Sequence, residues 1–582
     1  MHCIARRFML RARLALALFP VALMVSATAA HAQDLPRTWQ EENDFKAGPT
    51  PFEPLMDYWF ELDAVSDKIS MMPLTETLLG RTMQLLTISD IPISSPQDAL
   101  RSGKAIVFVG PSVHGGEVSP KESFQLVARE LVGGSLQHIL DDVIVIGVPL
   151  VNPDGGEVQR RTNEAGYDMN RDYVKLESQE IQALVTQVMT QWTPDIHVDG
   201  HHGGSDPYVI TYQGTLNPAA DPALREWTYG RIFPRIRAAV EAEDYRAFDY
   251  SGPRIVDGVQ GWGSTSVEPR KHHVYTGLTN TIGILLETPR NSRRVMRDGT
   301  VAEIAQEDRY YHQIRGGVLA LTAILEVAAE NRDELRTLTS GTRQRAIEAG
   351  VTGAEPVVLD YELVNRGNET VWMPDASAQL GYAPQEVPVF LKYETTRTTT
   401  RPKGYLLPPG MAAVLTKLFD HGIAVYQFRE PMTLSAEVYD ATSVKVDSYF
   451  QGHYLKSVEV EKSTEDVEVG PGWFWIPTAQ SMGRLITYLF EPETDDNLIT
   501  WGWADHIIEV TPQSIDEALA TLYAVRGPEE LTPERRAHLQ SRAEEMMQRR
   551  QRVPMMRVLE ADRLPVERVR RFMPSAGNRV IR

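Results

Sequence analysis

In "VFVGPSVHGGEVSP" (107–120), His114-Gly-Gly-Glu117 sets an imidazole three places before a carboxylate, straight after a hydrophobic run. Such a pair either shares a metal ion or makes a polar turn at a strand end, and the pair alone decides neither. Three further stretches hold groups of the same kind. "VNPDGGEVQRRTNEAGYDMNRDY" (151–173) carries Arg160, Arg161 and the pair Asn170-Arg171. "PDIHVDGHHGG" (194–204) carries Asp199 and His201, with His197 and His202 beside them. "KHHVYTGLTNTIGILLETPR" (271–290) ends an apolar run on Glu287. The only cysteine, Cys3, lies in a leader-like stretch, so any zinc must be held through histidine and carboxylate.

The elements around these groups set where they can meet. "KAIVFVG" (104–110), "DVIVIGVPLVN" (142–152), "DIHVDGH" (195–201) and "TIGILLET" (281–288) are continuous apolar runs of strand length, as in strands covered on both faces. Helical stretches lie between them: "SPKESFQLVARELVGG" (119–134), with a Ser-Pro start and a Gly stop, and "LESQEIQALVTQVMTQW" (176–192). Strand alternating with helix predicts an α/β fold, a mixed and largely parallel sheet flanked by helices. Sites in such sheets form outside the carboxyl ends of the strands, where a His-x-x-Glu, a distant histidine and a strand-end glutamate could share one crevice. That domain is expected over 33–330, followed by a polar helical connector over 331–350. From 351 to 582 period-two alternation ("EPVVLDYELVNRG", "YLKSVEVEKSTEDVEVG") predicts a β-rich accessory region ending in charged helices.

Taken together, these stretches resemble the zinc metallocarboxypeptidases, the carboxypeptidase A-like peptidases. The matching elements run in the family's order: His114-Gly-Gly-Glu117, Asn152-Pro-Asp-Gly155, Arg161-Thr-Asn163, Asp168-Met-Asn170-Arg171, Asp199-Gly-His201 and "GILLET" with Glu287. "LLGRTMQLLTISD" (78–90) also resembles the family's opening segment, and the likeness covers roughly 45 to 330. It implies a Zn²⁺ held by His114, Glu117 and His201, with a fourth position left for water. It implies Glu287 as general base, Arg161 as the cation facing the oxyanion, and Asn170 with Arg171 as the grip on a substrate's terminal carboxylate. Arg160 is the runner-up to Arg161, and His197 and His202 are the alternatives to His201. Asn152-Pro-Asp-Gly155 reads as a turn former, and His272 and His273 as surface polarity rather than pocket lining. The family's lid tyrosine falls to Tyr250 or Tyr275.

Composition narrows the setting. Arg6, Arg7, Arg11 and Arg13, the apolar Leu14–Val25 and Ala30-His31-Ala32 read as a secretory signal peptide over 1–32. Its removal takes four arginines and no acid, so the net charge moves from −19 to −23. Such an acidic chain argues against nucleic-acid binding, and no later stretch has the ~20 apolar residues of a membrane helix. A periplasmic or extracellular location follows, with export route, side-chain preference and oligomeric state left open. The expected activity is zinc-dependent hydrolysis at the C-terminal end of peptides bearing a free carboxylate. Cell-wall (murein) peptides are the alternative substrate, and a catalytically silent peptide-binding protein the alternative of another class.

Overall fold

The chain is described by a computed structural model over residues 35–204, 206–378, 380–526, 532–560 and 568–572, so the expected leader lies outside the described residues. The central sheet contains β1 (Ile69–Glu76), β2 (Thr82–Ile88), β3 (Ala105–Pro111), β4 (Val143–Gly147), β5 (Ile196–His201), β6 (Ile210–Gly214) and β7 (Ala247–Asp249). A hairpin outside it, β8 (Gly252–Val256) and β9 (Val259–Gly263), precedes its last member, β10 (Ile282–Glu287). The order is β1-β2-β4-β3-β5-β10-β6-β7. Four of its seven neighbouring pairs are parallel, β3 with β4, β3 with β5, β5 with β10 and β6 with β7. The mixed α/β sheet read from the sequence is therefore present.

Every residue of β3, β4, β5 and β10 is buried, the physical reason these strands appear as unbroken apolar runs. The helices Ser119–Gly133 and Arg309–Glu330 pack on each other and on β3. The stretch expected as one helix over 176–192 is helical from Gln179 to Trp192, with a π-helical turn at Leu184–Met189.

The helix Arg332–Thr352 buries Leu335, Thr339, Thr342 and Ala346. Beyond it, a second sheet is built on a long hairpin, Met432–Phe450 paired antiparallel with His453–Val469. Residues from Pro36 onward form one compact unit. One hydrophobic cluster holds Phe108, Tyr173 and Tyr275 together with Leu407, Leu418, Tyr439 and Trp501. Strand Tyr382–Phe390 also pairs in parallel with β9 through Val389–Trp262 and Phe390–Gly263. Among the described residues no helix is long and apolar enough to cross a membrane.

Candidate metal centre and active site

His114 and Glu117 stand on the turn that follows β3, and His201 is the last residue of β5. The turn is tight. An added Cβ on Gly115 would sit 2.1 Å from the Gly155 carbonyl carbon and 2.5 Å from the Arg160 carbonyl oxygen. The loop it presses on is shaped by Asn152, whose side chain accepts from Gly155 N (2.9 Å) and donates to the carbonyls of Val113 and Arg161 (both 3.3 Å). Asn152 thereby caps the short helix Pro153–Glu157, so the stretch opens a helix where the sequence predicted a turn.

Ligand-type atoms of His114, Glu117 and His201 all lie within 4.8 Å of one another. His114 Nδ1 is 2.7 Å from Glu117 Oε1, His201 Nδ1 is 2.7 Å from Glu117 Oε2, and the two Nδ1 atoms are 3.1 Å apart. The far side of each ring faces a carboxylate: Asp168 Oδ1 lies 2.9 Å from His114 Nε2, and Asp199 Oδ1 lies 2.9 Å from His201 Nε2. Carboxylates there favour hydrogen on Nε2, which turns both Nδ1 lone pairs toward the same point as the Glu117 oxygens. Lone pairs and a carboxylate converging in a buried place repel unless a cation lies between them. Two imidazoles and one carboxylate with outer carboxylates behind the rings are a donor set that fits zinc.

Glu287 ends β10 beside β5, paired in register with His201. Its carboxylate lies against Gly203, where a Cβ would come within 2.5 Å of Oε2. Burial pushes the Glu287 carboxyl up to about 8, and the charges of Glu117 and Asp199 add to it. Arg161 is half exposed and reaches the same centre, with Nη1 at 3.2 Å from Glu117 Oε1 and Nη2 at 2.9 Å from Asp168 Oδ2. Arg160 instead pairs with Glu164 at 2.6 Å.

Asn170 and Arg171, adjacent in sequence, have different surroundings. The Asn170 amide is buried, with Nδ2 at 2.9 Å from His201 Nε2 and 3.4 Å from Asp199 Oδ2, while its oxygen accepts from His272 N at 2.9 Å. Arg171 is partly buried, donates Nη1 to the Asn170 carbonyl at 2.7 Å, and has no ion pair among the described residues. Of the two tyrosines, Tyr275 is buried with its hydroxyl 2.8 Å from His421 Nδ1. The Tyr250 phenol is raised by burial and by the charges of Glu287 and Glu117, with Arg171 and Arg161 opposing, so Tyr250 belongs to the active-site side.

The expectation of surface polarity for His272 and His273 is overturned. Both are buried on the helix His272–Leu278. His272 Nδ1 lies 3.4 Å from Asp199 Oδ1, and its ring stacks on Tyr173 at 4.6 Å. His202 is half-buried, and its backbone N donates to Glu117 Oε2 at 3.2 Å. His197 is buried against His272, 3.3 Å between ring nitrogens. Asp168, within the motif Asp168-Met-Asn170-Arg171, joins His114 to Arg161, a role its sequence position alone does not reveal.

Residues 56–226 match the family model described as zinc carboxypeptidase, a stretch that holds every candidate site residue named above except Tyr250, Tyr275, Glu287 and the histidines at 272 and 273. The chain is 21% identical over 423 residues to Carboxypeptidase 2 of Trichophyton tonsurans, covering 69% of this chain and 74% of that protein. It is 23% identical over 437 residues to Probable carboxypeptidase 2 of Arthroderma benhamiae, covering 71% and 77%. A solved metallo-carboxypeptidase from Pseudomonas aeruginosa, in complex with (2-guanidinoethylmercapto)succinic acid, is 22% identical, covers 50% of this chain and 70% of its own, and has a TM-score of 0.38. The match of residues 56–226 to the zinc carboxypeptidase model, together with the carboxypeptidases the chain resembles over most of its length, supports a zinc-dependent peptidase.

Proposed function

We propose that the protein is a secreted zinc carboxypeptidase that removes residues from the free carboxyl end of peptides outside the cytoplasm. The observation that carries this reading is the meeting of His114, Glu117 and His201 at strand ends, with Glu287 beside them and Arg171 nearby, without an ion pair among the described residues. His114, Glu117 and His201 would hold the zinc, which supplies Lewis acidity toward a carbonyl and toward water. Glu287, buried at the end of β10 beside His201, takes the proton from the attacking water and delivers it to the leaving amine. Arg161 presents the guanidinium that faces the developing oxyanion, and Asp168 holds it in place. Arg171 pairs with the terminal carboxylate, and Tyr250 bounds the same side of the cleft. Asn170, whose amide donates to Asp199 and accepts from His272 N, supports the grip by fixing the turn that carries Arg171.

The test is metal content together with hydrolysis of matched free-acid and amidated peptides, before and after chelation. About one zinc per chain, activity lost on chelation and restored by zinc, and strong preference for the free acid are expected. Equal cleavage of acid and amide ends the carboxypeptidase reading even with zinc bound. Purified murein peptides in the same panel distinguish the wall-directed alternative.

A further inference from the structure

The C-terminal hairpin ends on the catalytic centre. Its turn, Gln451-Gly452, links the paired residues Phe450 and His453, and both turn residues have positive φ, +50° and +86°. Two-residue hairpin turns of that form favour Asn-Gly, Asp-Gly or Gly-Gly, because most side chains are strained at positive φ. Glutamine is not a residue the turn itself selects. Strain kept at one position points to a use for its side chain.

That side chain reaches across 283 residues of sequence: Gln451 Oε1 accepts the backbone N–H of Asp168 at 2.9 Å. Asp168 in turn accepts from His114 Nε2 through Oδ1, and from Arg161 Nε (3.1 Å) and Nη2 (2.9 Å) through Oδ2. The turn is itself anchored. His453 Nε2 lies 2.7 Å from Glu177 Oε1, and the Arg270 guanidinium stands 5.4 Å over the Phe450 ring. A Cβ on Gly452 would meet the Tyr167 ring, the neighbour of Asp168, at 3.7 Å.

We infer that Gln451 is a positioning residue of the active site: through the Asp168 backbone it fixes the carboxylate that orients His114 and Arg161. The inference rests on the proposed role of His114 as a zinc ligand. Groups behind metal ligands commonly change metal affinity or activity by ~10–100-fold, and Gln451 stands one step further out, so a smaller effect follows.

The discriminating variants are Gln451→Gly and Gln451→Asn in the full chain. Both suit the turn better than glutamine, and neither reaches Asp168, glycine lacking a side chain and asparagine being one methylene short. A residue that served only the hairpin would leave both variants as stable as the wild type or more so, with activity unchanged. The inference instead expects an equal or higher unfolding midpoint, KM nearly unchanged, kcat lowered by roughly 5–10-fold, and zinc stripped by a chelator several times faster. Hydrogen exchange of the segment containing Asp168 should also quicken. Wild-type kcat, zinc release and exchange in both variants would overturn it, as would a kcat loss that only tracks a lowered midpoint. A wild type that takes up no zinc would fail on the ligand assignment instead, and the exchange rate at Asp168 still decides whether the contact exists.

Discussion

Arg171→Ala separates recognition of a chain end from chemistry at the metal. Arg171 is partly buried, and among the described residues its hydrogen bond goes to the Asn170 carbonyl, whereas Arg160 and Arg161 are each paired with carboxylates. A guanidinium with no acidic partner among the described residues, beside a buried acidic centre, is available for a substrate carboxylate, and its planar fork suits that shape. Removing one member of a buried charge pair costs ~2–5 kcal/mol, much of it from the group left unpaired. Arg171 is only partly buried, which places the loss near ~2–3 kcal/mol, or roughly 30- to 150-fold in kcat/KM on free-acid peptides. Amidated peptides carry no terminal charge and should change little, so the acid-over-amide ratio collapses while zinc content stays constant. Arg161→Ala is the internal control. It should lower acid and amide substrates alike, by roughly 10²-fold, since an oxyanion forms in both reactions. The assay is kcat/KM on matched acid and amide pairs, with metal analysis of each preparation. The reasoning fails if Arg171→Ala lowers both substrates equally, or if it leaves the ratio at the wild-type value.

Glu287→Gln should retain zinc and the fold yet lose most turnover, because the amide cannot accept the water's proton; metal analysis beside single-turnover rates checks it. An emptied metal site or an unchanged rate would show that Glu287 has another role. Gly115→Ala should destabilise the protein strongly, since the new Cβ meets backbone at 2.1, 2.4 and 2.5 Å and none of those atoms can swing aside. Overpacking of ~1–3 kcal/mol or more predicts an unfolding midpoint lowered by several degrees and weakened zinc retention, both read by thermal melts with and without metal.

The sheet was legible because its central strands are covered on both faces, so the pattern survives in sequence as plain apolar runs. His114, Glu117, His201 and Glu287 were legible as a group because each sits where such a run stops. What sequence could not supply was direction and burial. "KHHVY" looks like a solvated stretch, yet His272–Leu278 packs against β5 and β10 and is buried throughout. Asn170 and Arg171 are polar neighbours in sequence, and only tertiary contacts bury the amide against Asp199 and leave the guanidinium without an ion pair among the described residues. Tyr250 and Tyr275 are separated in the same way, by His421 occupying one hydroxyl. Period-two alternation gave the strands of the C-terminal region, but no local pattern could reveal that a glutamine at a hairpin tip meets Asp168.

The family-matched stretch ends at residue 226, before Glu287, and its side chains are held by groups still further along the chain. Asn280 on the loop before β10 donates to the Ser481 carbonyl at 2.6 Å, Arg270 bonds Asp496, and Tyr275 meets His421. These contacts bracket the helix His272–Leu278, the one that stands behind Asp199 and His201. Rigidity at a metal ligand depends on its supporting shell, and a shift of an ångström is enough to weaken a site. Here much of that shell comes from residues after 350, in Gln451 toward His114 and in His421, Ser481 and Asp496 toward His201. On the proposed assignment, residues after 350 support both histidines of the candidate metal group, His114 through Gln451 and Asp168, and His201 through the helix His272–Leu278.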